Sequence, residues 1–437
     1  MENILSSFAF LTPKILYTPY LIKFFMEYYP RKIEKEMESW LKRKEIILLK
    51  GPRQSGKTTL LLHFKEKMGG NYITLEDESQ LKTFEENPKE FAKRYIDKKY
   101  LFLDEAQYSK KAGKIIKLLF DLFSDKLKLI ISGSGSFDIK VEIGKYLVGR
   151  AIYLELMPLD FEEFIMWKAP DLHKIFLNHK KAIKNFIDGK NINIKPAFEQ
   201  EFKALLSEYL IFGGFPAIVK EQDEEIKKEL LKNLARTYLE KDIFFFLNIR
   251  HIEKFRALLT YLSFNIGSLI EISSIMQDLK MDYKTIENYL SILSNTYIIS
   301  LLSPFHKNLK TELKKAKKIY FNDLGLRNAI INNFAPIDTR TDKGVLIENF
   351  IFNELKSNFK EKINYWRTTG KVEVDFVLHV GNEIVPIEVK NQTKLKGGFF
   401  SFLKAYKPKR AIVFTEKEFG VKKINNTTVA FVPHYFI

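Results

Sequence analysis

The sequence predicts an α/β chain of several domains, and three observations carry that expectation. Between Arg31 and Phe164, short apolar runs alternate with amphipathic helical stretches, as in a parallel sheet joined by crossover helices. A glycine-rich loop separates the first of those runs from the helix that follows it. After a helical middle between Asp171 and Phe305, strands return from about Asn308 in a second, smaller α/β unit. At 437 residues the chain exceeds what one ordinary core organises.

In the first unit the buried-strand candidates are Glu45–Lys50, Asn71–Glu76, Tyr100–Glu105, Leu127–Gly133 and Ala151–Met157. Lys110–Phe123 and Asp160–Trp167 read as helices. In the middle, Glu201–Leu210, Glu224–Phe246 and His251–Phe264 are the long helical stretches. The basic run Lys307–Lys318 reads as a linker or an exposed hairpin.

Composition narrows the function classes. With 46% hydrophobic and 14% aromatic residues, the chain has ample material for packed cores. The sequence contains no cysteine, which excludes disulfides, thiolate metal sites and a cysteine nucleophile. Lys and Arg total 71 against 54 Asp and Glu, a net +17, and this excess points to an anionic macromolecular partner, nucleic acid first. The apolar N-terminus is broken by Pro13, Lys14, Pro19 and Lys23 into runs too short to span a bilayer. It is expected to be a packing segment, with a cytoplasmic location and no stable membrane association.

The motif that carries chemistry is Gly51-Pro52-Arg53-Gln54-Ser55-Gly56-Lys57-Thr58-Thr59, which fits G-x-x-x-x-G-K-[ST] in full. Strand, loop and helix follow in the order the mechanism requires. Gly51 and Gly56 let backbone N–H groups curl around phosphates at a helix N-terminus. Lys57 would reach the β- and γ-phosphates of ATP, and the Thr58 hydroxyl would hold Mg²⁺. The run Tyr100–Glu105 ends in two acids at the edge of the sheet where ligands bind. There Asp104 would hold Mg²⁺ through water and Glu105 would polarise the attacking water. Ser132 or Ser134, after the next strand, would touch the γ-phosphate or position that water, or else form a simple polar turn. Arg150 and Arg236 are candidate arginine fingers, or equally structural ion-pair partners.

These blocks resemble a known family. Arg31–Thr59, LFLDEAQ, ISGSGS, GR followed by LMPLDFEEF, then FGGFPAIV and TYLEKDIF recur in that order in archaeal and bacterial AAA+-type ATPases with a C-terminal domain of unassigned function. The resemblance covers nearly the whole chain after residue 30. It implies an AAA+-like core at 31–168, a helical lid at 169–247, a winged-helix module with basic linker at 248–318 and a nuclease-like domain at 319–437. A homo-oligomer with nucleotide between subunits is a further implication. The winged helix is also legible in residues, as helix, turn, helix, then strand from Ser268 to Phe305. There Asp282 serves as an N-cap, and Lys284, Thr285 and Asn288 share one exposed face.

A second constellation lies in the C-terminal unit. A helix from Gly344 carries Glu348, with Val345, Phe350, Ile351 and Leu355 on its apolar side. Asp375 sits in the second strand of a hairpin, and after a turn at His379–Asn382 the next strand carries Glu388 and Lys390. Residues two apart on a strand face one side, so Glu388 and Lys390 share a space that Asp375 and Glu348 can enter. Acids to hold Mg²⁺ or Mn²⁺, with a lysine to orient water, suit metal-assisted phosphodiester hydrolysis. The pattern resembles PD-(D/E)xK nucleases, with Val374 in place of the proline. Lys394, Lys396, Lys404, Lys407, Lys409 and Arg410 would suit a phosphate backbone. Three readings follow: a DNA-directed ATPase with an attached nuclease domain, acting on branched DNA; a nucleotide-operated switch whose nuclease-like fold docks a protein; and, from the aromatic N-terminus alone, a membrane-associated ATPase.

Overall fold

A computed structural model describes residues 28–437, apart from 134–145, 193–194, 239–250, 306–315, 369, 371, 391–394 and 396. The expected packing segment therefore lies outside the described residues up to residue 27. So do Ser134, most of TYLEKDIF and most of the basic run. Among the described residues no helix is long and apolar enough to cross a membrane.

The first unit is a five-stranded parallel sheet. Its strands are β1 (Ile46–Lys50), β2 (Asn71–Thr74), β3 (Tyr100–Asp104), β4 (Lys128–Gly133) and β5 (Ala151–Glu155), in the order β2-β3-β4-β1-β5. Every residue of β1, β3 and β4 is buried, which is why these segments read as continuous apolar runs. The two faces pack separate apolar clusters, one around Leu48, Leu103 and Ile116, the other around Leu49, Phe64 and Phe102. Because β4 lies between β1 and β3, the loop after β1 and the acids after β3 flank the end of β4 at one sheet edge.

One large apolar cluster runs from Leu159 to Ile437 through all three C-terminal divisions, beside two smaller clusters around Phe399 and Trp366. The helical hairpin is present as read: Ile272–Leu279, then Tyr283–Asn295, with the Asp282 carboxylate accepting the Thr285 N–H at 2.9 Å. Strand β6 (Ile299–Leu302) follows and pairs antiparallel with β7 (Lys318–Phe321). Lys318 is consequently a buried strand residue and not part of an exposed hairpin or linker.

The last sheet has six strands: β8 (Ile363–Arg367), β9 (Glu373–Val380), β10 (Glu383–Lys390), β11 (Arg410–Thr415), β12 (Gly420–Ile424) and β13 (Thr427–Pro433). Their order is β12-β13-β11-β10-β9-β8, with β10, β11 and β13 parallel. His379 and Val380 continue β9, so the turn before β10 is shorter than expected and centres on Gly381 (φ 56°). The helix Lys343–Asn358 packs against this sheet and also against the first unit.

Candidate functional site

The loop after β1 is set by three backbone positions in the left-handed region: Gly51 (φ 152°), Gln54 (φ 59°) and Gly56 (φ 97°). A Cβ on Gly51 would lie 2.1 Å from the Leu156 carbonyl oxygen, so the chain passes there only as glycine. Lys57 opens the helix Lys57–Met68, and its ammonium crosses the loop to the carbonyls of Gly51 (3.0 Å) and Pro52 (2.6 Å). Thr58 Oγ1 donates to Asp104 Oδ2 at 2.7 Å. Asp104, at the end of β3, also accepts the hydroxyls of Tyr72 (2.8 Å) and Ser132. Glu105 stands beside it in left-handed backbone (φ 56°), accepting from the Gln107 amide. Burial, then the neighbouring Asp104, pushes the Glu105 carboxyl up from the usual carboxylate range. Thr58 and Asp104 supply the hard oxygen donors that suit Mg²⁺ beside a phosphate chain.

Of the residues expected here, Gly51 to Thr59, Asp104, Glu105 and Ser132 meet at this edge. Ser132 donates its hydroxyl to Asp104. Arg150 precedes β5 at the opposite edge of the sheet, where its carbonyl accepts the Ile46 N–H and its guanidinium pairs with Asp121 at 2.8 Å. It does not reach this chain's own loop, and an arginine-finger role would be served only to a neighbouring copy. Arg236 is exposed on its helix and contacts Asn233.

Sequence reasoning missed the brace behind the loop. Arg31 donates to the Ser55 carbonyl (2.9 Å) and to the Met157 carbonyl (2.8 Å), and pairs with the buried Glu163 at 3.0 Å. Pro216 of the GGFP block lies on the same side of Gly56 as Arg31, 3.8 Å from where a Cβ would stand. In the same block the Gly214 carbonyl accepts the Leu159 N–H, and the Gly214 N–H donates to Asp323 at 2.8 Å. The only sequence signal for these roles was membership in the recurring blocks.

The C-terminal constellation also assembles. Lys390 Nζ lies 2.6 Å from Glu388 Oε1 and 3.8 Å from Asp375 Oδ2, and the Val389 N–H donates to Asp375 at 2.8 Å. Burial and the neighbouring Glu388 push Asp375 well above the carboxylate range. Burial alone would depress Lys390, but Asp375 and Glu388 outweigh it and hold the ammonium above its ordinary value. Glu348 is drawn elsewhere, to Lys318 (3.1 Å) and the Tyr320 hydroxyl (2.7 Å). Among the described residues no group of three His, Cys, Asp or Glu is placed to hold a metal ion. As arranged, the expected set of Glu348, Asp375 and Glu388 does not fit a divalent cation, because two lysines take its oxygens. Of the basic residues expected along a phosphate backbone, Lys394 and Lys396 lie outside the described residues. Lys409 pairs with Glu383, and Arg410 donates to the Gly189 carbonyl.

The AAA domain family matches residues 43–165, spanning the loop and both acids. Over 366 residues the chain is 30% identical to the uncharacterized protein MJ1544 of Methanocaldococcus jannaschii, covering 80% of this chain and 76% of that protein. The chain belongs to this family of AAA-type P-loop ATPases. Two domains of unknown function match the rest, DUF8612 over 203–336 and DUF4143 over 343–435. An uncharacterized protein of Haemophilus influenzae is 25% identical over 79% of this chain and 82% of its own length. Among solved structures, the Aeropyrum pernix ORC2 protein aligns with 71% of this chain and 95% of its own at 10% identity and a TM-score of 0.36. The STAND protein PH0952 of Pyrococcus horikoshii aligns with 76% and 46% at 14% identity and a TM-score of 0.28. At such scores no shared arrangement of the whole chain follows.

Proposed function

We propose that this chain is a DNA-directed ATPase that hydrolyses ATP at the P-loop edge of its parallel sheet. The observation that carries the hydrolytic reading is the convergence of Lys57, Thr58, Asp104 and Glu105 at the ends of β1 and β3. Lys57 would leave the Gly51 and Pro52 carbonyls for the β- and γ-phosphates, the stronger, charged acceptors. A Mg²⁺ bound to ATP would neutralise developing charge on the phosphates, with the Thr58 hydroxyl as ligand and Asp104 behind a water. Glu105 would accept a proton as water attacks the γ-phosphorus and the bond to the bridging oxygen breaks, releasing ADP. Its raised affinity for protons suits a general base. Arg31 and Glu163 would keep the loop in register during the exchange.

DNA as partner rests on the net +17 and on the helix Tyr283–Asn295, on which Lys284 and Asn288 are exposed beside the β6–β7 pair. A winged helix that presents a recognition helix to a groove would use such an exposed face. We take 31–168, 169–247, 248–318 and 319–437 as units of function, the last a PD-(D/E)xK-like fold that contacts DNA. The lysine-paired acids favour a second reading, in which the nuclease-like fold is silent and docks a protein while ATP operates the switch.

The test is the ATPase rate with and without single-stranded, duplex and four-way DNA, with labelled DNA followed in Mg²⁺ and in Mn²⁺. Stimulation by one DNA form, lost in Glu105→Gln while ATP binding persists, is the expected result. Absence of both stimulation and DNA binding would leave the switch reading.

A further inference from the structure

Glu354 joins the last unit of the chain to the first. It lies on the helix Lys343–Asn358, is fully buried, and accepts the Phe161 N–H on Oε1 at 3.0 Å. Its Oε2 meets no hydrogen-bond partner among the described residues. Burying such a group costs free energy that an apolar side chain would not. What the carboxyl holds is the start of the helix Phe161–Lys168. The first N–H groups of a helix have no partner within it. Here Asp160 takes the Glu163 N–H at 3.0 Å, and Glu354 takes that of Phe161 from 193 residues away. The C-terminal helix grips the same point twice more. Ser357 donates to Asp160 Oδ2 at 2.6 Å, and the Phe350 ring stands edge-on to Phe161 with centroids 5.3 Å apart.

The helix held in this way carries Glu163. Both oxygens of that buried carboxylate take the Arg31 guanidinium, at 3.0 and 3.1 Å, and Oε1 also accepts the Lys32 N–H at 2.7 Å. A guanidinium fork bound at two points has a fixed direction. Its remaining nitrogen donates to the Ser55 carbonyl of the phosphate loop. Ser55 Oγ in turn donates to the Pro52 carbonyl at 2.9 Å, the same carbonyl that accepts Lys57. Buried contacts thus run from the C-terminal helix to the lysine of the loop.

We propose that Arg31, Glu163 and Glu354 are positioning residues for nucleotide binding, through which the C-terminal unit sets the shape of the phosphate loop and responds to what occupies it. The inference rests on the ATP-site reading of Gly51–Thr58. Such coupling is reciprocal. If the C-terminal helix favours the nucleotide-ready loop, bound nucleotide steadies that helix by the same free energy.

The experiment is hydrogen exchange of the full chain without and with saturating Mg²⁺–ADP, with ADP affinity measured by calorimetry. In wild type, ADP is expected to slow exchange in Lys343–Asn358 as well as at the loop. Arg31→Lys keeps the charge beside Glu163 but loses the fork that spans Glu163 and Ser55. It is expected to bind ADP at least about five-fold more weakly, and ADP should then leave exchange in Lys343–Asn358 unaltered. Glu354→Leu is expected to weaken ADP binding from the other unit. Glu354→Gln, whose Oε1 can still accept the Phe161 N–H, is expected to restore it. A merely structural role would lower the melting temperature of Glu354→Leu and leave the ADP affinity of the folded protein at the wild-type value, which overturns the proposal. So does ADP protection confined to the first unit of wild type, or protection of Lys343–Asn358 that persists in Arg31→Lys. Those two exchange patterns decide the matter if Glu354→Leu fails to fold. A wild type that binds no ADP would sink the ATP-site reading itself, whereas ADP binding without the spread sinks this inference alone.

Discussion

The P-loop edge and the C-terminal cluster use the same ingredients, lysines and strand-borne acids, with opposite electrostatics. At the P-loop, Lys57 spans two neutral carbonyls, and Asp104 is held by the hydroxyls of Thr58, Tyr72 and Ser132. Lys57 also lies within electrostatic reach of Glu105, and its hydrogen bonds to neutral carbonyls can be exchanged for a stronger, charged acceptor. At the C-terminal cluster Lys318 and Lys390 already stand against Glu348, Asp375 and Glu388. There the charges are satisfied within the fold. The difference separates a site built to receive a ligand from one whose ions hold the protein together.

The comparison can be broken at each lysine. Lys57→Ala should reduce ATP hydrolysis by about 10²–10³-fold or more, since it removes a donor aimed at the transferring phosphate. Its melting temperature should move little, and a collapse of stability would mean that Lys57 is structural after all. Lys318→Ala should do the reverse. Removing one partner of a buried ion pair costs about 3–5 kcal/mol, so denaturant unfolding should shift strongly while the folded fraction keeps its ATP affinity.

A smaller effect sharpens the contrast through pH. Glu354, on the helix that carries Glu348, is fully buried, accepts the Phe161 N–H at 3.0 Å, and is pushed up to about 8, by burial first and then by Asp160. A carboxyl raised on folding favours the folded state fully below its unfolded value. That contribution is lost as pH rises toward 8. The wild type should therefore lose stability between about pH 4.5 and 8, and Glu354→Gln should flatten that slope in melting curves. An unchanged slope would show that Glu354 ionises freely. The smallest effect belongs to Arg150→Ala, whose part-exposed pair with Asp121 is worth under about 1 kcal/mol. ATP affinity of the isolated chain should be unchanged, and a marked loss would contradict its place on the far edge of the sheet.

Much of the nucleotide site was legible because its determinants are local. A glycine-rich loop between an apolar run and a helix, and two acids at the end of another run, each lie within nine consecutive residues. Their pairing then follows from a parallel sheet whose strand ends share one edge. The helix–turn–helix was legible for the same reason, through the Asp282 cap and the face shared by Lys284 and Asn288. Ser132 stands at the expected edge, and its bond to Asp104 was not legible in the sequence, since only strand order puts β4 beside β3.

By itself, then, the sequence determined the P-loop and its acids, the strands that present them, the helical hairpin and the face shared by Glu388 and Lys390. The tertiary structure decided the rest. Arg31 meets Glu163 across 132 residues, Lys318 meets Glu348 across 30, and Asp323 meets Gly214 across 109. It also set Arg150 at the far edge and joined the C-terminal divisions through one large apolar cluster. The reason is physical. Backbone periodicity and turn chemistry act over a few residues, whereas a buried charge chooses its partner from whatever the folded chain brings within reach.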